Sequence, residues 1–342
     1  MTQGKGDEIE MISLDEILVK QKADTSKYKV GVCVTSYNQQ DVIEDALNGI
    51  LKQKTTFPFL IVVADDYSTD GTRDILKRYK EQYPGTIELI LQPHNLGLFK
   101  NRKEIFKSCD APYIAFCDGD DYWTDEGKLQ KQFNSMERHN EIDICAHAVR
   151  KINAASGKAL GMIAPEGKDT IIRIESVIIG GGGFVGTNSL FYRKSAFDNV
   201  LPFRKLLEID YTLQVQGALR GGMLYLSECM SDYRFMSSEG SWSSRYNDED
   251  VVNRNYARWK VMTEQLDVDT NKRYHDIIVK YMDLREIDRL FRFGHYNELK
   301  KYRYILESLT GNTKIKYYVM INFPQVYFLL KSIRDKIKSE NG

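Results

Sequence analysis

From Tyr28 onward the chain alternates short apolar, β-branched runs with stretches whose apolar residues recur every three or four positions. Residues 30–34 read as a strand, and residues 41–54 as an amphipathic helix, with apolar side chains at Val42, Ala46, Leu47, Ile50 and Leu51. The unit repeats: a strand at 59–64, a helix at 73–83 capped by Ser68, Thr69 or Asp70, a strand at 87–91, a helix at 98–108 and a strand at 113–117. Alternation at this spacing predicts an α/β fold, a doubly wound, mainly parallel sheet flanked by helices. In such sheets ligands bind beyond the carboxyl ends of the strands. Three polar clusters lie at those ends: residues 35–38, the pair Asp65 and Asp66, and residues 118–121.

The second half is less regular. A helix at 128–139, a strand at 142–149, a polar excursion over 151–170, a strand at 187–192, a helix from 206 to 220 and strands at 223–226 and 229–235 are expected. The four glycines at 180–183 precede no Gly-Lys-Ser/Thr ending, so they read as a closely approached loop at the mouth of a site rather than a phosphate loop. Glu208 and Asp210 fall in the first turn of the 206–220 helix, where the helix dipole favours negative charge. From 248 to the end the pattern is helical. The expected organisation is a polar leader over 1–27 with a short helix at 13–22, a main domain over 28–247 with halves at 28–125 and 126–247, and a C-terminal helical region over 248–342.

Charge refines this division. Lys and Arg number 48, as do Asp and Glu, which gives no electrostatic case for a nucleic-acid partner. The balance is uneven along the chain, since residues 251–342 carry 18 basic side chains against 11 acidic ones. Residues 313–342 mix aromatic and aliphatic residues with basic flanks, a composition suited to contact with an anionic membrane surface or a subunit. No apolar run approaches the roughly 18 residues of a spanning helix. Five scattered cysteines without a Cys-x-x-Cys pair argue against a disulfide framework or a zinc site and for a cytoplasmic protein, in reach of the inner face of the membrane. Composition leaves the oligomeric state open.

The chemistry concentrates at Asp118, Asp120 and Asp121, three carboxylates leaving one strand within four residues. Crowded like charges are best relieved by a cation. Oxygen-only donors suit a hard ion, Mn²⁺ or Mg²⁺, that keeps positions open for phosphate.

The order Val-x-Val-Thr-Ser-Tyr-Asn at 32–38, Val-Val-Ala-Asp-Asp-Tyr-Ser-Thr-Asp-Gly-Thr at 62–72, Asn-Leu-Gly at 95–97 with Arg102, and Asp-Gly-Asp-Asp at 118–121 resembles the family 2 glycosyltransferases of the GT-A fold over about residues 28–240. The resemblance implies a metal-dependent, inverting transfer of sugar from a nucleotide sugar, usually uridine-linked. It implies that Thr35, Tyr37, Asp65 and Asp66 hold base and ribose, that Asp118 contacts the ribose, that Asp120 holds the metal, and that Arg102 lies near the diphosphate. The general base would be Asp210, with Glu208 as runner-up, although Ile209 stands where relatives carry Glu. Met236 replaces a His found in many relatives and leaves Arg234 to contact the diphosphate. The absence of a Gln-x-x-Arg-Trp signature implies transfer of one sugar to a glycan or lipid-linked acceptor. Two other readings use the same residues: a nucleotidyltransferase that makes the activated sugar, against which stands the lack of a basic Gly-rich loop at 35–41, and a catalytically silent nucleotide-sugar-binding scaffold.

Overall fold

The computed structural model describes residues 27–235 and 248–340, with side chains through 333. The expected helix at 13–22 and loop at 237–247 lie outside the described residues. The chain divides into two compact units, residues 1–130 and 131–342.

In the first unit the expected alternation is present as β1 (Val30–Ser36), α1 (Ile43–Leu51), β2 (Phe59–Asp65), α2 (Thr72–Gln82), β3 (Ile87–Leu91), α3 (Leu98–Ser108), β4 (Tyr113–Asp118) and a short β5 (Tyr122–Trp123). The strands pair in parallel in the order β3-β2-β1-β4. Every residue of β1 is buried, as an apolar run covered on both faces requires. Ile43, Ala46, Leu47 and Ile50 form the buried stripe of α1, with the i, i+3, i+4, i+7 spacing of one helix face. Gly31 keeps β1 close to the end of α3, because a Cβ there would overlap the Cys109 sulfur. Capping of α2 differs from expectation. Its N-cap is Gly71; Asp70 accepts the Thr72 amide at 2.9 Å, while Ser68 turns to Asp65.

From β1 the chain winds outward to β2 and β3, whereas β4 returns to the opposite side of β1. The order therefore reverses between β1 and β4, the topological switch point at which open α/β sheets bind ligands. Register places Thr35 beside Asp118 and Ser36 beside Asp65, so all three polar clusters meet along one edge.

Helix α4 (Lys128–Glu137) contains the unit boundary. The second unit has a mixed sheet built on β6 (Ile144–Asn153), which pairs in parallel with β10 (Met223–Phe235) and antiparallel with β7 (Ala159–Ile163) and β9 (Phe191–Arg193). β8 (Thr170–Ile172) pairs antiparallel with β10. Four expectations change. The strand expected at 187–192 is a 3₁₀ turn at Thr187–Ser189 followed by β9. The polar excursion at 151–170 holds the end of β6 and the whole of β7. The two strands expected at 223–235 are one strand with irregular register between Leu226 and Ser231. The helix expected at 206–220 is two, α6 (Pro202–Leu206) and α7 (Asp210–Ala218), separated by extended backbone at Leu207 and Ile209.

Between β8 and β9 lies α5 (Ile174–Gly180). After β10 come α8 (Glu249–Asp269), α9 (His275–Arg292), α10 (Tyr296–Leu299), α11 (Gly311–Asn322) and α12 (Pro324–Glu340). Ile287, Leu290, Leu299, Met320 and Ile321 form a buried cluster to which Ile179 of α5 adds, so these helices share a core with the unit that begins at 131. No helix among the described residues is long and apolar enough to cross a membrane.

Candidate active site

At the switch point, Thr35 Oγ1 donates to Asp118 Oδ1 at 2.6 Å, and Arg102 Nη2 pairs with the same oxygen at 3.3 Å. Thr35 and Arg102 are buried, whereas the Asp118 side chain keeps 28% of its surface exposed. A carboxylate held from behind by a hydroxyl and a guanidinium, with its front open, is oriented for a ligand before one arrives. The turn beyond it is equally constrained. Gly119 donates its amide to Thr35 O at 2.8 Å and Asp121 to Asp118 O at 2.9 Å. A Cβ on Gly119 would overlap Gln39 Oε1 and fall 2.7 Å from Ile43 Cδ1, so only glycine fits between the two carboxylates. Asp120 is half-buried and Asp121 buried. Burial first, then the charges of Asp121 and Asp118, push the Cys117 thiol well above its ordinary range, with Lys128 opposing, which marks how negative this strand end is.

The adjoining loops are zipped together. Asn38 donates its amide to Ser68 Oγ at 2.9 Å and accepts from the Thr69 amide at 2.8 Å. Gln39 donates its amide to Thr72 Oγ1 at 2.8 Å, and Gln40 accepts from Gly71 at 2.7 Å. Asn38 and Tyr67 adopt left-handed φ of 49° and 66°, a strained conformation for a ring-bearing residue that this network holds in place. Tyr37 and Tyr67 consequently present exposed rings from neighbouring loops, and Arg73 sits 5.1 Å from the Tyr67 ring centre.

The structure buries Asp65 and Asp66, which the family resemblance assigns to base and ribose. Asp65 is fully buried; it accepts from the Ser68 amide at 3.0 Å and the Ser68 hydroxyl, and pairs with Arg73 at 2.5 Å. Asp66, also buried, accepts from the amides of Leu96 at 2.6 Å and Gly97 at 2.8 Å, while Asn95 donates to its carbonyl at 3.2 Å. Both carboxylates fold loops. Asp65 shapes the 66–71 turn and Asp66 fixes the Asn-Leu-Gly turn, which explains why these motifs occur together.

The second unit supplies a different constellation. Asp210 is the first residue of α7 and half-buried, at the helix end where amides point outward. Thr187 Oγ1 donates to Asp210 Oδ2 at 2.9 Å. The glycine run precedes Thr187 in the chain; in it, Gln214 donates Nε2 to Gly182 O at 3.0 Å, and Gly182 lies in ordinary contact with Tyr211. The helix start is locked by Thr212, whose hydroxyl donates to Leu207 O at 2.7 Å and accepts from the Ile209 amide at 3.2 Å. Tyr211 stacks on Tyr281 at 5.0 Å, and burial drives its hydroxyl well above the ordinary tyrosine range, so it is inert as an acid or base. Glu208, before the helix, pairs with buried Arg204 at 3.8 Å. Arg234 is half-buried on β10, beside Ile152 of β6, while Met236 and residues 237–245 lie outside the described residues.

Sequence reasoning missed Thr187 and Tyr67. The glycine run was the signal for the first, and the polar 65–72 turn for the second.

Among the described residues no three His, Cys, Asp or Glu side chains cluster as a complete metal site. Asp118 and Asp120, oxygen donors flanking one glycine, are of the type that suits a hard divalent ion.

The chain is 36% identical over 213 residues to the uncharacterized protein Rv1520 of Mycobacterium tuberculosis, covering 62% of this chain and 60% of that protein, so it spans less than two thirds of that relative's length. It is 30% identical over 224 residues to the putative teichuronic acid biosynthesis glycosyltransferase TuaG of Bacillus subtilis, covering 63% of this chain and 83% of TuaG. In fold it is similar to residues 1–349 of Staphylococcus aureus TarS, solved with UDP-GlcNAc, with a TM-score of 0.57 at 18% identity over 86% of this chain and 79% of that one. The profile described as glycosyl transferase family 2 matches residues 31–201, half of the chain and all three strand-end clusters, and the chain belongs to that family.

Proposed function

We propose that this protein transfers a single sugar, with inversion, from a UDP-linked donor to a hydroxyl of a glycan or lipid-linked acceptor on the cytoplasmic side of the membrane. The observation that carries this reading is the preoriented Asp118 at the switch point, held by Thr35 and Arg102 and followed across Gly119 by Asp120. Tyr37 and Tyr67 form the platform for the base, Asp118 accepts from ribose, and Arg102 stabilises Asp118 in that position. Asp65 and Asp66 serve indirectly, by fixing the loops that carry these groups. Asp120, with Asp118, would hold a divalent ion, Mn²⁺ or Mg²⁺, which when bound supplies positive charge to the departing diphosphate. Arg234 is the candidate for a second diphosphate contact. The complex of TarS with UDP-GlcNAc and the teichuronic acid biosynthesis named for TuaG support donor and acceptor classes respectively.

Asp210 accepts the proton of the acceptor hydroxyl as that oxygen attacks the anomeric carbon and the carbon–phosphate-oxygen bond breaks. Thr187 fixes the carboxylate rotamer. Arg204 ties up Glu208, which favours Asp210 of the two.

The decisive experiment compares two variants. Asp210→Asn should bind UDP-sugar as the wild type does and lose transfer, while Asp120→Asn should lose Mn²⁺-dependent donor affinity. Wild-type turnover by Asp210→Asn would reject the assignment and move it to Glu208. Release of pyrophosphate from sugar phosphate and UTP would instead support the nucleotidyltransferase reading.

A further inference from the structure

Helix α11 buries one side, whereas α12 is held through half-buried Tyr327 and is otherwise largely bare over its described residues. Tyr317, Met320 and Ile321 of α11 enter the buried cluster of the C-terminal helices, and Tyr327 of α12 packs edge-on against Phe291 at 5.1 Å. These contacts fix the rotation of both helices. What remains outside is apolar: Val326, Leu329, Leu330 and Ile333 follow the i, i+3, i+4, i+7 spacing of one continuous stripe, Phe323 extends it, and Phe328, Ile315 and Tyr318 flank it. Each of these side chains is 48 to 63% exposed. Isolated exposed leucines need no explanation, but a contiguous apolar stripe on a helix anchored from behind marks a contact surface.

Charge identifies what meets it. Lys314 and Lys331 are exposed at the two ends of the stripe, and the sequence of 310–340 holds Lys314, Lys316, Lys331, Arg334, Lys336 and Lys338 against only Asp335 and Glu340. Lys316 is bound to Asp288, at 3.2 Å, whereas Lys314 and Lys331 are exposed beside the apolar strip. A second copy of the chain would oppose this basic strip with its own, which Coulomb repulsion disfavours. An anionic bilayer complements both features, accepting the apolar stripe at the depth of the acyl chains while lysine and arginine reach the headgroups. We propose that α11 and α12 lie flat on an anionic lipid surface and dock the enzyme there, without crossing it. The geometry suits this: α12, at 17 residues and about 1.5 Å per residue, runs along the surface for roughly 25 Å, and it is not apolar enough to span. This inference does not depend on the catalytic assignments.

The test uses the full chain and flotation with vesicles of phosphatidylcholine alone or with phosphatidylglycerol. Binding is expected to the anionic vesicles at low salt, to weaken as salt rises, and to fall by at least about tenfold in Leu329→Glu/Ile333→Glu. Both positions are exposed, so the variant should keep the wild-type melting temperature, and Lys314→Glu/Lys331→Glu provides a second, purely electrostatic lesion. Failure of the wild type to bind anionic vesicles at low salt would overturn the proposal. So would binding that neither variant alters, or a wild-type dimer in solution that Leu329→Glu/Ile333→Glu dissolves.

Discussion

Replacing Thr35 with Val tests whether the switch-point cluster is a ligand-orienting device. The substitution preserves shape and removes one hydroxyl, whose bond to Asp118 Oδ1 is 2.6 Å long. A hydrogen bond to a charged group contributes roughly 1.5–3 kcal/mol when buried. The Asp118 side chain is 28% exposed and keeps the Arg102 pairing, so water and the guanidinium recover part of that, and about 1 kcal/mol is a reasonable net loss. Two readouts separate structure from function. In a double-mutant cycle of Thr35→Val and Asp118→Asn, followed by urea unfolding, the two should couple by about 1 kcal/mol. In a titration with UDP, Thr35→Val should weaken affinity by roughly five- to tenfold, since 1.4 kcal/mol is a factor of ten, and Thr35→Ser should restore it. Additive unfolding energies would refute the contact. Coupling without any change in UDP affinity would refute the role assigned to it.

Other positions yield equally definite outcomes. Gly119→Ala places a methyl 2.7 Å from fully buried Ile43 and 2.9 Å from Thr35 O, and overpacking of this kind should cost about 1–3 kcal/mol, read as a lower melting temperature together with weaker UDP binding. Arg150→Met removes both hydrogen bonds, 2.8 and 2.6 Å, from a buried Asp232; because Arg150 is half in water, the loss should be roughly 2–3 kcal/mol, below that for a fully buried pair, measured by denaturant unfolding. Burial raises the Tyr225 hydroxyl to about 12, so the folded state holds this proton more tightly than the unfolded chain. Its contribution to stability is complete below pH 10 and is lost as pH rises toward 12, and Tyr225→Phe should flatten that part of the alkaline unfolding profile.

The parts of this fold that were legible are those in which neighbouring residues decide. A continuous apolar run such as 30–34 can be buried on both faces only as an interior strand, and the stripe of α1 fixes which side of that helix meets the sheet. The same locality explains the errors. Half-buried Ser227 and exposed Glu228 look like a break between two strands, yet β10 carries them through an irregular register because β6 pairs with it on both sides of the interruption. Opposite net charge made residues 248–342 look separable, whereas Ile179, a single side chain 70 residues upstream of that boundary by rough count, belongs to their core.

The acidic residues show the limit most clearly, because a carboxylate's availability depends on partners the local sequence does not name. Asp65, Asp66 and Asp118 all leave strand ends on one edge and all match family motifs. Ser68 and Arg73 take up the first, the Leu96 and Gly97 amides the second, and only the third retains an open face. Burial without partners would be prohibitive for either of the first two, and the partners each has found lie in the turns at 66–73 and 95–97. By the same argument Thr187 and Asp210 form a unit. The half-buried threonine donates its hydroxyl to the carboxylate 23 residues later, at the first residue of α7.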